Sequence, residues 1–169
     1  MRRDERAWIR GAQEGSVHDL EQLFRAHWPR AYRVAFLVVH DTAAAEDIAQ
    51  EAFLAAVRSL DRFDRRRPFG PWLHRIVVNR AIDWSRARAL RREVELVETP
   101  AVARGPDDGE AGTLAAGLVE LTPEHRAVIV LRYLLDYTPG EIADLLDVPR
   151  GTVNSRLRRA LDRLGERLA

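Results

Sequence analysis

Apolar positions recur along this chain at three- and four-residue intervals, the period of helices that bury one side, and nothing in the pattern suggests a barrel or a sandwich. Trp8, Ile9 and Ala12 make a first short apolar face. Ser16 with Asp19 resembles a capping box and predicts a helix from about Val17 through Trp28, burying Leu20, Leu23, Phe24 and His27 or Trp28. Pro29 permits a kink or a fresh start. Ala31, Tyr32, Val34, Ala35, Phe36, Val38 and Val39 are so densely apolar that they predict the central helix of a first domain. Asp41 or Thr42 caps the next helix, Ala43 to Leu60. Its Ile48, Ala52, Ala56, Val57 and Leu60 face the core, and Asp47, Gln50, Glu51 and Arg58 point away.

A loop from Asp61 to Trp72 follows, broken by Pro68, Gly70 and Pro71 and carrying Phe63 and Phe69 in what looks like an exposed setting. Pro71 opens another helix, on which Trp72, Arg75, Ile76, Asn79 and Asp83 share a strip with Arg86 nearby. An aromatic, an amide and charges together do not make a core face. From Glu93 to about Gly117 acids, prolines and glycines replace large apolar residues, which predicts a flexible acidic linker. Leu114, Leu118 and Leu121 then begin the next helix. Thr122-Pro123 starts one that carries Ala127, Val128, Ile129, Leu131, Tyr133 and Leu134.

The last stretch has the strongest local signals. Thr138, Pro139 and Glu141 form a Thr-x-x-Glu capping box with proline at the first helical position. Ile142, Ala143, Leu145 and Leu146 supply an apolar side, and Asp147 stands at the left-handed turn where glycine is common. Pro149 restarts a helix, with Val153, Leu157, Ala160, Leu161 and Leu164 on its inner stripe. The outer side holds Arg150, Thr152, Asn154, Ser155, Arg158 and Arg159. This pattern predicts a helix-turn-helix. The fold expected is all-α, with two small helical domains, 1–92 and 114–169, joined by the linker 93–113.

Charge sharpens the picture through its placement. Net charge is +1, and all 27 basic residues are Arg, a bias that reflects a GC-rich genome more simply than a nucleic-acid partner. From Val148 to Ala169, however, six Arg face two acids, whereas Leu118 to Asp147 carries two Arg against six acids. A recognition helix puts its N-terminal residues on base edges and its forked guanidinium groups on phosphates. Between Arg62 and Arg92 ten Arg oppose only Asp64 and Asp83. Aromatics interleaved with Arg suit stacking on unpaired bases and tracking of their phosphates.

Other chemistry is disfavoured. Without cysteine the chain has no disulfide or thiolate metal site, and redox sensing would reside in a partner. Glu46, Asp47 and Glu51 have no His within a turn, so no metal and no cofactor is expected; acids early in a helix complement its dipole. The five His are scattered singly, and no glycine loop cradles phosphate. Neither a signal peptide nor a stretch of roughly 20 apolar residues is present, which predicts a cytoplasmic protein with no membrane insertion.

Several motifs occur in order: Ala45-Glu-Asp-Ile-Ala-Gln-Glu-Ala-Phe53, Phe63-Asp64, Trp72-Leu-His-Arg-Ile-Val-Val-Asn79, Ala81-Ile-Asp83, Leu121-Thr-Pro123 and Gly151-Thr-Val-Asn-Ser-Arg-Leu157. This set resembles extracytoplasmic-function sigma factors, the small two-domain members of the sigma-70 family, over roughly residues 17–92 and 114–166. Separated motifs in the right order are far more specific than a lone helix-turn-helix. The resemblance implies a non-enzymatic initiation factor that binds bacterial RNA polymerase core and directs it to promoter DNA. It implies that Asp47, Gln50, Glu51 and Phe53 dock on the clamp of the largest subunit. Phe63, Phe69, Trp72, Arg75, Asn79 and Asp83 would engage the minus-10 element as it melts, with Asn79 as edge reader of an everted base. Arg150, Thr152, Asn154, Ser155, Arg158 and Arg159 would meet the minus-35 element. Many relatives carry Lys or Arg where Asn154 stands, so base preference there transfers least. The linker would thread the polymerase's RNA exit path, and an anti-sigma protein is a common partner in the family.

Two further readings compete with that one. A helix-turn-helix regulator would use its first half as a sensor or dimerisation domain and would bind paired half-sites unaided. A helical nuclease or phosphohydrolase would need clustered ligands, which the sequence does not supply.

Overall fold

Ser16 and Asp41 fix where the second and third helices begin. The Ser16 hydroxyl accepts from the Asp19 amide at 3.2 Å, and the Asp41 carboxylate accepts from the Ala44 amide at 3.0 Å. In this computed structural model, which describes residues 3–95 and 117–168, the first half holds α1 (Arg3–Gln13), α2 (Val17–Val39), α3 (Thr42–Arg58), a single 3-10 turn (Leu60–Arg62) and α4 (Phe69–Glu95). The second half holds α5 (Pro123–Ile129), continued by a π-type turn (Val130–Leu134), then α6 (Pro139–Leu146) and α7 (Arg150–Leu168). No strand occurs among the described residues, and the expected all-α class holds.

Helix α2 is the central element, as its apolar density predicts. Pro29 lies inside it without breaking it. Proline there removes one intrahelical hydrogen bond, and tertiary packing must offset that loss. Packing is available on both sides: Ala31, Val34, Ala35 and Val38 are fully buried, and Trp28, Tyr32 and Phe36 stack in succession with centroids 6.5 Å apart. His40, at φ 53°, ends the helix in the left-handed region, and its amide bonds to the Phe36 carbonyl. Helices α1, α3 and α4 all pack on α2. Gly11 lets α1 cross closely, since a Cβ there would meet Asp19 Oδ2 at 1.9 Å.

Several boundaries differ from expectation. The third helix ends at Arg58, and Leu60 sits in the 3-10 turn, still buried. Helix α4 begins at Phe69, two residues before the expected Pro71, because proline within a first turn leaves no intrahelical donor missing. Its last turn takes in residues 93–95 of the expected linker; the remainder, 96–113, lies outside the described residues. So do Leu114 and the two residues after it. Leu118 is helical and Leu121 follows a short turn, both buried, and the next helix starts at Pro123 behind the Thr122 cap as expected. Val57, Tyr133 and Leu161, assigned to inner faces, are exposed by 39%, 57% and 43%.

Eight-residue α6 is too short to persist alone in water. It is held by burying Ile142, Ala143 and Leu145 against α7, whose Val153, Leu157 and Ala160 are buried in turn. A fully buried aliphatic side chain contributes roughly 1.5–3 kcal/mol. The two halves also meet: α5 packs on α2 and α4, and α6 packs on α4. At that junction the Arg126 guanidinium donates to the Val38 carbonyl, and Arg86 pairs with Glu124 at 2.6 Å.

Candidate nucleic-acid and polymerase interfaces

Helix α3 presents a polar face. Glu46, Asp47, Gln50 and Glu51 are exposed; the Gln50 amide donates to Glu46 at 3.3 Å, and Glu51 pairs with Arg80 of α4 at 2.6 Å. Phe53 is not on this face. It is 5% exposed, with Phe24 at 4.9 Å and Trp28 at 6.1 Å between ring centroids, so it supports the surface from beneath. What the sequence reading passed over is an apolar extension of the same face: Leu54 is 54% exposed, beside Val57 and half-exposed Phe24. The spacing 47, 50/51, 54, 57 carried that signal, because residues three and four apart share a helix side.

The second surface is built at the start of α4. Phe63, Phe69 and Trp72 form one cluster: Phe63 and Trp72 stack with centroids 4.5 Å apart, and Phe69 meets both rings edge-on at 5.9 and 5.6 Å. The expectation that Phe63 and Phe69 are exposed is corrected here. They are 9% and 3% exposed, because Phe69 turns inward against His27 and Phe63 is held under Trp72. Trp72 is the partly exposed ring, standing on a floor of two phenylalanines.

The loop leading into this cluster is tied at its base. Gln13 of α1 donates from one amide to the carbonyls of Leu60, at 2.8 Å, and Phe63, at 3.0 Å. Asp64 accepts from the Arg66 amide and guanidinium, both at 3.0 Å, and these bonds hold its carboxyl below the usual range. An open cavity of about 580 Å³ lies beside Trp72, lined by Arg62, Arg67, Arg75 and Pro71 and, from the second domain, by Tyr137, Glu141 and Asp144. Arg75, Asn79 and Asp83 are exposed along α4 beyond it, and Asp83 lies 4.0 Å from Arg86. The site thus pairs an aromatic platform with guanidinium groups and, one turn on, an amide able to read a hydrogen-bonding edge.

The third surface is the outer side of α7. The α6 capping box is complete: the Thr138 hydroxyl accepts from the Glu141 amide at 3.3 Å, and Glu141 accepts from the Thr138 amide at 2.7 Å. Asp147 takes the left-handed conformation, φ 55°, and its amide bonds back to the Ala143 carbonyl. That turn aims α7 so that Arg150, Asn154, Arg158 and Arg159 are exposed while Thr152 and Ser155 are half-buried. The Ser155 hydroxyl donates to the Thr152 carbonyl at 2.9 Å. Burial lowers the pKa of nearby His125, and the cations Arg156, Arg159 and Arg163 add to that, a measure of the positive field on this helix.

Among the described residues no cluster of three or more His, Asp or Glu is placed to hold a metal ion, and no helix is long and apolar enough to cross a membrane.

Two family models match the chain: sigma-70 region 2 over residues 23–91 and sigma-70 region 4 over residues 117–166. Among curated proteins the chain is similar to the ECF RNA polymerase sigma factor SigW of Bacillus subtilis (strain 168), 31% identical over 176 residues, spanning 95% of this chain and 94% of that one. It is similar also to the RNA polymerase sigma factor CarQ of Myxococcus xanthus, 33% identical, spanning 92% of each chain. Among solved structures it resembles CnrH in complex with the cytosolic domain of CnrY, at 28% identity and a TM-score of 0.73, over 98% of this chain and 97% of that one.

Proposed function

Because the chain belongs to the extracytoplasmic-function sigma factors of the sigma-70 family, we propose that its three exposed faces divide one task, the delivery of RNA polymerase core to a promoter and the opening of that promoter. The observation that carries this assignment is their segregation. An acidic and apolar face on α3, an aromatic and arginine site at the start of α4, and a basic helix-turn-helix helix occupy different elements with different chemistry.

The α3 face supplies Asp47, Gln50 and Glu51 to the clamp of the largest polymerase subunit. Phe53 supports them from below, and Leu54 and Val57 add desolvated area. At the minus-10 element Trp72 takes a base edge or face as the duplex opens, with Phe63 and Phe69 as its rigid floor. Arg75 meets phosphate, Asn79 reads the Watson–Crick edge, and Asp83 lies at the far end of the strip. Extruding a base costs a few kcal/mol, and stacking on an aromatic platform returns about 1–3 kcal/mol per base. At the minus-35 element Asn154, Arg158 and Arg159 reach bases and backbone in the major groove, while Arg150, Thr152 and Ser155 position the helix.

The domains implied are 1–92 and 114–169, with 93–113 as the connection. The protein does no covalent chemistry of its own, needs no cofactor or metal, and works in the cytoplasm, where the chromosome and the polymerase are. CnrH is held by the cytosolic domain of CnrY, and an anti-sigma protein is the corresponding partner for this chain.

Capture by purified core polymerase followed by run-off transcription tests the whole reading: the chain should confer initiation on promoters that core alone ignores. Asp47→Lys with Glu51→Lys should weaken capture at least tenfold while leaving thermal unfolding nearly unchanged. The exposed Glu51–Arg80 pair lost in that variant stabilises by only about 0–1 kcal/mol. Undiminished capture by the double variant would remove α3 from the interface.

A further inference from the structure

Helix α1 lies outside both matched family regions, yet it is joined to the minus-10 loop. Gln13 ties the loop base, as described above, and on the same side of α1 Arg6 and Arg10 face Arg65 and Arg66 of the loop across a groove of about 440 Å³. All four arginines are exposed. Arg66 is engaged by Asp64, but Arg6, Arg10 and Arg65 have no acidic partner within ion-pair distance among the described residues. Like charges four apart on a helix repel, and a second pair of guanidinium groups opposite adds to that cost. Such a groove is balanced by an anion that reaches all of them together.

We propose that Arg6, Arg10, Arg65 and Arg66 form a phosphate-binding groove that extends the minus-10 site, taking the sugar–phosphate backbone of the DNA strand displaced when the promoter opens. Forked guanidinium groups fit phosphodiester oxygens, and four of them in a groove grip more than one phosphate. The loop that lines the groove leads directly into the Trp72 cluster, so one strand can run from the ring to the arginines. Gln13 keeps the two walls in register. The contact carries no sequence information, since phosphates are the same at every base.

The proposal rests on Trp72 being the minus-10 platform, and the experiment separates the two. Full-length chain assembled with saturating core polymerase is titrated with a fluorescent single-stranded minus-10 oligonucleotide at several salt concentrations, comparing wild type, Arg6→Gln with Arg10→Gln, and Trp72→Ala. The double variant should lose about tenfold in affinity and flatten the log–log salt dependence by about 1.4, two single-strand phosphates at roughly 0.7 each. The same fractional loss should appear with a scrambled oligonucleotide. Unchanged affinity and slope, with Trp72→Ala binding poorly, overturns the groove and leaves the platform intact; Trp72→Ala binding normally overturns both. Weaker binding with an unchanged slope would mean that α1 only props the loop, and the phosphate assignment would fall. Loss of binding to anionic phosphatidylserine vesicles, with oligonucleotide affinity intact, would assign the groove to a membrane surface and overturn the proposal.

Discussion

His74 and Tyr137 meet across the junction of the two domains, the imidazole Nδ1 lying 2.8 Å from the phenol oxygen. His74 is 3% exposed, and its other ring nitrogen has no partner among the described residues. Burial, with His27 and Arg30 adding to it, pushes the His74 pKa down to about 3, and burial raises that of Tyr137 to about 12. Both groups are therefore neutral near pH 7 and joined by one hydrogen bond. Tyr137 also lines the cavity beside Trp72, together with Glu141 and Asp144. The helix-turn-helix domain thus forms one wall of the site proposed for the minus-10 base.

Tyr137→Phe should loosen this closed arrangement. The ring and its packing stay, but the His74 imidazole loses its one hydrogen-bond partner among the described residues, and a buried polar group left unsatisfied costs about 1–3 kcal/mol. The radius of gyration from small-angle scattering should rise, and single-stranded minus-10 DNA should bind more tightly to the variant holoenzyme. No change in either would show that the junction does not depend on this bond.

Stability should fall as pH drops from about 6.5 toward 4. His40 is driven to about 4, mainly by burial and then by Arg126, and His74 to about 3. In the unfolded chain both titrate near 6.5. Below that pH the unfolded state binds more protons than the folded one, so unfolding becomes easier; above it both states are neutral and the effect vanishes. Urea midpoints at pH 5 and pH 7.5 should differ in that direction. His40→Asn, which keeps a residue suited to the left-handed cap, should shrink the difference. An unaltered difference in that variant would place the pH dependence elsewhere.

Thr138→Ala should destabilise the second domain by about 1 kcal/mol, the usual cost of losing an N-cap. Glu141 would keep its bond to the backbone amide of residue 138 but lose the hydroxyl, which now accepts from the Glu141 amide. Thr138→Ser, with the hydroxyl retained, should recover most of the loss in thermal unfolding. Equal losses in both variants would mean that the methyl group, not the cap, stabilises the start of α6.

These cases also mark what the sequence could and could not convey. The box at Thr138 and Glu141, the proline after it and the turn at Asp147 were legible because cap chemistry acts within four residues. The outer face of α7 was legible for a similar reason, since exposure of Arg150, Asn154, Arg158 and Arg159 follows from the period of a single helix. Phe63 and Phe69 were misjudged because one lies in a loop and the other opens α4, where no period can be read, and because Phe69 packs on His27 and the Phe63 carbonyl is tied by Gln13, both far away in sequence. Leu161 follows the stripe of its helix yet is 43% exposed, while Leu157 and Ala160 before it and Leu164 after it pack inward, so the period alone did not decide its burial. The bond between His74 and Tyr137 spans 63 positions and no local pattern announces it. Pro29 went the other way: its local signal allowed a break, and packing on both sides of α2 kept the helix whole.

Asn154 offers the sharpest test of the minus-35 assignment. It is exposed on the outer side of α7, one turn from Arg150 and one from Arg158, so it sits between two cations able to hold the backbone. Asn pairs bidentately with adenine and Arg with guanine, and each such contact is worth about 1–3 kcal/mol of discrimination. Selection of bound sequences from a randomised minus-35 library should therefore show one position that changes from adenine to guanine in Asn154→Arg, with the others unmoved. Arg158→Ala should behave differently, weakening all sequences alike and reducing the salt slope by about one, if phosphate is what it touches. A library in which Asn154→Arg shifts no position would put that side chain off the base edges and leave recognition to Arg158 and Arg159.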